Sequence, residues 1–368
     1  MPEITTYNAV PDEPAVQRAW DALLATMSES PVFYTHQWAR AVAGHLLVQP
    51  MVLVAKEGGQ VVGIGAFAQL SKRSVGWLAH GTADYCDVLA APGSQPLVLN
   101  AFLRELRRQG IDEVVLTNVP EHSPTVPAVH EAAKTAGFRV VGLVVGDCPV
   151  VRLGTGEARS ALHKELTRKR RLKEKLSALR KLGSVELDCW RDAGALRAAL
   201  PGFVRAHTER FEASGRQGPY SDPDKQQFLT SALEALAATG EARMFRLRLD
   251  ETPLAWAIVF VTGKRWLWYM PTFAASHTRF SPGLLLLRMV IEAALADDQA
   301  EIVDLGMGDE DYKTRFANGV EHIRGYILTT SAARYAYLSA RGGAARGLRR
   351  FPRLHGLVRS IVRRKPGS

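Results

Sequence analysis

The chain has 368 residues, a length at which about two domains are usual. Its composition, 46% apolar and 23% charged, is that of an ordinary globular protein and excludes a disordered, collagen-like or disulfide-scaffold chain. The three cysteines, Cys86, Cys148 and Cys189, are too scattered for a zinc site, so we expect reduced thiols and no metal. The sequence shows neither a signal-peptide pattern nor an uninterrupted membrane-spanning run, and we therefore expect a cytoplasmic protein.

The net charge of +10 is concentrated in two segments. Residues 331–368 contain ten Lys or Arg residues and no Asp or Glu, so the rest of the chain has no net charge. Within that rest, residues 163–181 contain nine cations and two acids. Each segment predicts either an anionic partner or a solvated basic surface.

The first half of the chain alternates between helical and extended patterns. The spacing of apolar residues predicts helices at 15–27, 36–44, 96–108 and 125–136. Apolar runs at 51–55 and 61–68, separated by Glu57-Gly58-Gly59-Gln60, predict a β-hairpin. Further strands are expected at 75–78, 87–89, 113–117 and 138–145.

The second half repeats this order of elements without a visible residue-level repeat. A strand at 184–190 and helices at 193–213 and 223–238 precede a meander of strands at 242–249, 254–262 and 265–271. The helix at 282–296 begins with Pro282, where a missing N–H costs little. A strand at 302–306, a short helix at 311–317 and a strand at 323–329 complete the pattern.

Several passages of the second half together carry a resemblance to a known family. They are the meander strands RMFRLRLD, LAWAIVFV and RWLWYMPTF, the helix start FSPGLLLLRMVIEAAL, the passage VDLGMGDEDYKTRF, the Lys/Arg-rich helix and the HTERF segment. With the duplicated element order, they resemble the CelD-type (BioF-associated) acetyltransferases, tandem GNAT proteins that accompany bacterial cellulose and exopolysaccharide genes and are related to the Fem-type transferases.

This resemblance implies an α/β fold of two tandem GNAT-like domains, each a mixed, mostly antiparallel sheet flanked by helices. We expect a degenerate N-terminal domain at 1–155, a basic linker helix at 156–183, a C-terminal catalytic domain at 184–330 and a basic tail at 331–368. The implied activity is transfer of an acyl group, most simply acetyl, from acyl-CoA to an amine or hydroxyl. Direct attack is expected, because no Cys or Ser nucleophile constellation appears.

By the same resemblance, the CoA pyrophosphate would lie at the start of the helix that follows the fourth strand of the C-terminal domain. That start contains Arg279, Ser281, Gly283 and Leu284, and amides at a helix N-terminus attract anions. Pro282 departs from the usual loop because it removes one amide donor. Ser281 has the alternative role of a simple helix cap. The donor for the thioester oxygen is expected at the backbone amide of Met270 or Thr272.

Four side chains are candidates for the chemistry. In many GNAT enzymes a tyrosine at the place of Tyr312 protonates the leaving thiolate, and Lys313 resembles a lysine of the Fem-type motif. Asp304, on a strand of apolar neighbours, and His207, whose ordinary pKa suits a base, are joint candidates for the general base. For each residue the alternative is a structural role, as a packed, hydrogen-bonded or solvated side chain.

The acceptor is expected to be a saccharide or another small polar molecule. Asp84 and Tyr85 of the N-terminal half and Asp309 and Trp268 of the C-terminal half are candidates to bind it. Helix capping is the alternative for Asp309, and core packing is the alternative for Trp268. In the N-terminal half, the stretch that would correspond to the CoA loop lacks a cation and phosphate-loop spacing, so no second CoA site is expected there.

The basic segments leave further alternatives open. Fem-type relatives use aminoacyl-tRNA, so the basic helix makes a tRNA-dependent transferase the alternative activity. Residues 347–364 place apolar side chains among cations at nearly helical spacing, which fits a helix on the anionic inner face of a membrane. A disordered basic tail and a catalytically inactive, membrane-associated scaffold are the remaining alternatives.

Overall fold

Local turn and capping chemistry forms the elements of the fold much as the sequence predicts. The computed structural model describes residues 1–27, 31–308 and 310–349. Gly58 and Gly59 adopt positive φ angles of 56° and 82° and close the hairpin expected there. Some helix starts are capped by the side chains of Thr35, Asp192 and Asp222; Asp192, for example, accepts a hydrogen bond from the amide of Ala195 at 2.8 Å.

The first half of the chain contains seven of the strands and four helices. In chain order these are β1 (Glu3–Tyr7), α1 (Pro14–Ala25), α2 (His36–His45), β2 (Pro50–Glu57), β3 (Gln60–Ser71), β4 (Ser74–Trp77), β5 (Leu89–Ala90), α3 (Gln95–Arg108), β6 (Glu113–Pro120), α4 (Thr125–Thr135) and β7 (Arg139–Arg152).

Two connecting helices and the second half follow. They are α5 (Gly156–Arg168), α6 (Arg170–Arg180), β8 (Val185–Trp190), α7 (Ala193–Glu212), α8 (Pro223–Ala238), β9 (Ala242–Leu249), β10 (Thr252–Thr262), β11 (Arg265–Phe273), α9 (Pro282–Leu295), β12 (Ile302–Asp304), α10 (Asp311–Thr314), β13 (Gly319–Thr329) and α11 (Ala332–Arg349). The linker expected as one helix is thus a pair, α5 and α6, which separate at Lys169.

The strands form one mixed, mostly antiparallel sheet whose order reads β1-β2-β3-β4-β6-β13-β7-β12-β11-β10-β9-β8, with β5 beside β3. This order is symmetric about its centre: each strand of the first half lies as many positions from the centre as its counterpart in the second half. The duplication inferred from the element order therefore has a structural equivalent, and the expected α/β fold class is confirmed.

The two halves exchange their last strands at the centre of the sheet. Strand β13 lies between β6 and β7, and β7 pairs with β13 along most of its length and with β12 at Val150–Arg152. The halves are therefore joined by continuous β-pairing as well as by the α5–α6 connection. The division at 155, 183 and 330 stays a prediction.

The sheet opens at one place in each half. Strands β11 and β12 run parallel and pair only from Arg265–Ile302 to Leu267–Asp304, after which they diverge. Strands β4 and β6 repeat this short parallel pairing in the first half. Because diverging strands leave backbone and side chains without a ladder partner, such an opening is a natural place for a ligand.

Apolar clusters on the two faces of the sheet hold this arrangement. Trp266 and Trp268 are buried in one cluster, and Tyr269 is buried in the other, as alternation along β11 requires. The second cluster joins the two halves, because Trp38 of α2 packs edge-on against Phe228 of α8 at 5.3 Å. In the described ranges, no helix is long and apolar enough to cross a bilayer.

Candidate active site

A β-bulge marks the point where β11 leaves its neighbours. Trp256 pairs with Thr272 and Ile258 with Tyr269, so Met270 and Pro271 together oppose the single residue Ala257. Met270 has a positive φ of 50°, which turns the strand. Neither Met270 nor Pro271 has a partner in this register, and only Met270 carries an N–H.

A cleft of about 1210 Å³ opens at this bulge, between the two halves of the chain. Its walls come from the loop after β4, the middle of β6, the end of α7, the bulge of β11, the start of α9 and the α10 region. A cavity of this size is large enough for an extended organic ligand.

The first turn of α9 forms one end of the cleft. Ser281, Gly283 and Leu284 line it, while Pro282 occupies the first helical position. Ser281 has left-handed φ and ψ angles of 53° and 56° and does not cap its own helix. Its hydroxyl instead accepts a hydrogen bond from the Lys175 ammonium of α6. The positive end of the α9 dipole and a lysine therefore meet at one point.

Asp304, a candidate general base from the sequence, does not line the cleft. It is completely buried and accepts hydrogen bonds from the Tyr85 hydroxyl at 2.7 Å and the Arg265 guanidinium at 2.9 Å. Its second oxygen accepts from the Gly306 amide at 2.8 Å. Both Asp304 oxygens are therefore engaged in hydrogen bonds, and neither Asp304 nor Tyr85 lines this cleft.

Asp84 reaches the cleft from the N-terminal half and lies against the chain after β12. Burial, and then the neighbouring Asp304 charge, raise the pKa of Asp84 to about 6. The Met307 amide donates to its carboxylate at 3.4 Å. Gly306 has a φ of 71°, and a side-chain carbon there would lie 2.6 Å from the Asp84 oxygen. Only glycine at 306 leaves room for this carboxylate.

Tyr312 and Lys313 of α10 also line the cleft. Burial is the main cause that raises the pKa of Tyr312 to about 12, so its hydroxyl keeps its proton at neutral pH. Lys313 is 4% exposed and donates to the carbonyl oxygens of Gly306 at 3.3 Å and Met307 at 2.8 Å. It also forms an ion pair with Glu310 at 3.0 Å. Lys313 therefore fixes the backbone that follows β12.

The end of α7 supplies an aromatic and cationic wall. Burial, and then the charge of Arg210, lower the pKa of His207 to about 4, so its ring is neutral at pH 7. The ring stacks on Phe211 with a centroid distance of 4.8 Å, and its buried Nδ1 has no hydrogen-bond partner among the described residues. Arg210 donates to the Pro271 carbonyl at 3.1 Å and lies over the Phe273 ring.

The structure brings most of the residues singled out in the sequence to this one cleft. The lining includes Asp84, His207, Trp268, Met270, Ser281, Gly283, Leu284, Tyr312 and Lys313. Asp304, Tyr85, Thr272 and Arg279 lie outside it: Thr272 is buried and bonds the Ala206 carbonyl, and Arg279 is exposed beside the Phe280 ring. Asp309 lies outside the described residues.

Several lining residues were not among the sequence candidates. Arg210, Phe211 and Arg216 of the α7 region and Asn118 of β6 belong to this set. The spacing of Arg210 and Phe211 from His207 places all three near one helix face, and this signal was available in the sequence. Nothing comparable marks Asn118, which reaches the cleft because β4 and β6 diverge with a φ of 59° at this residue.

Comparisons with known proteins show a matching domain family and similar folds. Residues 167–314 match the family described as an acetyltransferase (GNAT) domain. No curated protein sequence matches the chain. The fold is similar to that of FemX, with a TM-score of 0.61 and 12% identity over 87% of this chain and 97% of FemX.

Two further structures share the fold. The C-terminal domain of a protein named as a lysylphosphatidylglycerol synthetase, from Agrobacterium fabrum, gives a TM-score of 0.54 and 15% identity, over 89% of this chain and 96% of that domain. L-PGS from Bacillus licheniformis gives 0.53 and 13%, over 88% and 96% of the two chains. At these identities the likeness concerns the fold alone.

The family match runs from the end of α5 to the end of α10 and includes the bulge of β11 and the first turn of α9, which both line the cleft. Residues 167–314 therefore form an acyltransferase domain of the GNAT type. Among the described residues, no group of three or more His, Cys, Asp or Glu side chains is placed to hold a metal ion.

Proposed function

We propose that the chain is an acyl-CoA-dependent acyltransferase that transfers an acyl group, most simply acetyl, to an amine or hydroxyl of a small polar acceptor. The observation that carries this proposal is the cleft where β11 and β12 part, which holds the bulge at Met270, the start of α9, Asp84 and Tyr312 together. The matched acetyltransferase domain supports the same reaction class.

The donor end of the cleft suits an acyl-CoA. The amide of Gly283 and the positive end of α9 favour the phosphates, and the Met270 amide, without a ladder partner, is the candidate donor to the thioester oxygen. Acyl-CoA brings an activated thioester, and this chain's residues have to orient it, exclude water and move protons.

Asp84 is the better placed of the candidate bases. With a pKa of about 6 it is ionised at neutral pH and still basic enough to take a proton from an attacking amine or hydroxyl. His207, with a pKa of about 4, is a much weaker base. Asp304 acts as a positioning residue, because its charge raises the pKa of Asp84 and its oxygens are already occupied.

Tyr312 is the candidate acid. Its hydroxyl is protonated at neutral pH and can donate to the thiolate that leaves when the acyl group is transferred. Attack is direct, so Asp84 gains one proton, Tyr312 gives one, and exchange with solvent restores both groups. Lys313 holds the backbone between them and keeps their separation fixed.

The acceptor end lies toward the N-terminal half. His80, Thr82 and Asn118 add polar groups beside Asp84, and Trp268 and Phe211 add aromatic surface, a combination that suits a saccharide. The CelD-type resemblance supports such an acceptor and a place in exopolysaccharide or cellulose synthesis. By this proposal the enzyme works in the cytoplasm, with the basic tail resting on the inner membrane face.

The proposal is tested by thermal unfolding and by release of the free thiol. A ligand that binds only the folded chain raises the melting temperature, so acetyl-CoA or a longer acyl-CoA should raise it. Over a panel of amino sugars and oligosaccharides, Tyr312→Phe should lower thiol release by about 10²–10⁴-fold with little change in CoA affinity. If no acyl-CoA shifts the melting temperature, the proposed activity is wrong.

The basic helices favour a second candidate, a transferase that takes an aminoacyl group from tRNA. On α5 and α6 the exposed cations that form no ion pair among the described residues are Lys164, Arg168, Arg171, Lys173, Arg180 and Lys181. Lys169 of the same pair bonds the Arg315 carbonyl at 2.9 Å, beside the cleft. Stabilisation by charged tRNA, strongly reduced by salt and absent with acyl-CoA, would select this candidate.

A further inference from the structure

Lys175 occupies an unusual electrostatic position. It lies on the half-buried side of α6, which packs against α9 and the turn at Ala275–Phe280. Its ammonium donates a hydrogen bond to the Ser281 hydroxyl, a neutral partner. No carboxylate among the described residues forms an ion pair with Lys175.

The surroundings of the Lys175 ammonium are electrostatically unfavourable for a cation. The N-terminus of α9 carries partial positive charge, which disfavours an ammonium group at the same point. Arg279 adds a further exposed cation two residues before Ser281. The described residues supply no carboxylate that pairs with this lysine. The positive charge at this point would therefore favour the binding of an anion.

The first turn of α9 also has one amide donor fewer than usual, because it begins with Pro282. Pro282 cannot donate, and the amides of Leu284 and Leu285 are directed to the Ser281 carbonyl at 3.0 and 3.1 Å. Ser281 lines the cleft, so the Lys175 ammonium lies one hydrogen bond away from the space that a donor would occupy. A lysine from a different helix thus stands where the helix start is short of donors.

We propose that Lys175 binds a phosphate group of the acyl donor and replaces the amide that Pro282 lacks. The inference rests on the proposed function and adds its specificity: the enzyme selects donors that carry a phosphate here over the corresponding pantetheine thioesters. Ser281 holds the lysine in place in the free enzyme, and the bound phosphate then accepts a charge-assisted hydrogen bond from it.

The test compares Lys175→Ala with Lys173→Ala, which removes the same charge from an exposed position of the same helix. Acetyl-CoA is titrated by calorimetry, and thiol release is measured with acetyl-CoA and with S-acetyl-pantetheine, which has no phosphate. Lys175→Ala should weaken acetyl-CoA binding about 10–100-fold, leave S-acetyl-pantetheine turnover unchanged, and be largely rescued by Lys175→Arg. Lys173→Ala should bind acetyl-CoA like the wild type.

Two results would overturn the inference while the proposed function stands. One is wild-type affinity for acetyl-CoA in Lys175→Ala, and the other is an equal loss with both donors, which would mark Lys175 as a packing residue. A wild-type chain that binds no acetyl-CoA removes the proposed function, and this inference with it. A parallel titration with aminoacyl-tRNA tests the second possible source of the phosphate. If tRNA is that source, Lys175→Ala should weaken tRNA binding and leave acetyl-CoA binding unchanged.

Discussion

Asp84 is the side chain on which the proposed chemistry depends most. It comes from the N-terminal half, yet its carboxylate lies against Gly306 and Met307 of the second half. Burial and the Asp304 charge raise its pKa, whereas the Met307 amide and the Lys313 charge oppose that rise. In the proposed mechanism the N-terminal half therefore contributes to the chemistry as well as to the structure.

Asp84→Asn should lower turnover by about 10²–10⁴-fold, because an amide cannot accept the acceptor's proton. In the wild type, kcat/KM should fall as pH drops below about 6, where the Asp84 carboxylate takes up a proton. The measurement is a pH–rate profile. Asp298→Asn, which changes an exposed carboxylate outside the cleft, is the control and should retain the wild-type profile.

The same substitution should stabilise the folded chain at neutral pH. Because the pKa of Asp84 is raised from 3.8 to about 6 on folding, its ionised form destabilises the folded state above that range and not below it. Asp84→Asn should therefore raise the free energy of unfolding at pH 7–8, by at most about 3 kcal/mol, and change it little at pH 4. A loss of stability at pH 7 would contradict the raised pKa.

Gly306 should be intolerant of alanine for two reasons that a matched variant separates. Its positive φ strains any side chain, and a side-chain carbon would displace Asp84. Gly240 has a φ of 79° and open space around it, so Gly240→Ala measures the strain alone, about 1 kcal/mol. Gly306→Ala should destabilise more and also reduce activity at least 10-fold. Equal effects of the two variants would argue against the Asp84 contact.

For single residues, the sequence indicates which side chains are unusual but not what each of them does in the fold. Asp304 stands out in the sequence because a carboxylate on an apolar strand needs a reason. The reason is its pairing with Arg265 and Tyr85, 39 and 219 residues away, which no local pattern reveals. The sequence suggests Asp84 only as an acceptor-binding residue, because its nearness to Gly306 likewise depends on contacts between the halves.

At the scale of elements, the exchange of β13 and β7 decides how the halves depend on each other. Strand β13 pairs with β6 on one side and with β7 on the other, so it completes the N-terminal part of the sheet. The hairpins and the α9 start were predictable because their turn and proline signals are local. The position of β13 was not, because strand order depends on pairing between distant segments.

Removal of β13 should therefore unfold the N-terminal half as well. A chain of residues 1–318 leaves β6 and β7 with bare edges and should aggregate or lose its cooperative unfolding transition. A chain of residues 1–331, which keeps β13 and lacks α11, should retain it. Circular dichroism during urea unfolding makes the comparison, and a cooperative 1–318 chain would show that the halves fold independently.

Across the whole molecule, the net positive charge lies in the tail at 331–368, whereas the rest of the chain has no net charge. Helix α11 begins the basic tail, and residues 350–368, with most of the predicted apolar stripe, lie outside the described residues. We expect the full chain to sediment with phosphatidylglycerol vesicles and the 1–331 chain to bind them less, with salt weakening the difference. Equal sedimentation would refute a membrane role, and both chains should keep their affinity for acyl-CoA.

The proposed function requires that the cleft between the two halves binds an acyl-CoA at the bulge of β11 and the start of α9. Hydrogen–deuterium exchange of the full chain with and without acetyl-CoA tests it most directly, because the method reports which backbone segments a ligand protects. We expect protection at 268–273, where β11 bulges, and at 279–287, where α9 begins, with no change at 91–97, where α3 begins. No protection anywhere, or protection confined to residues 91–97, would contradict it.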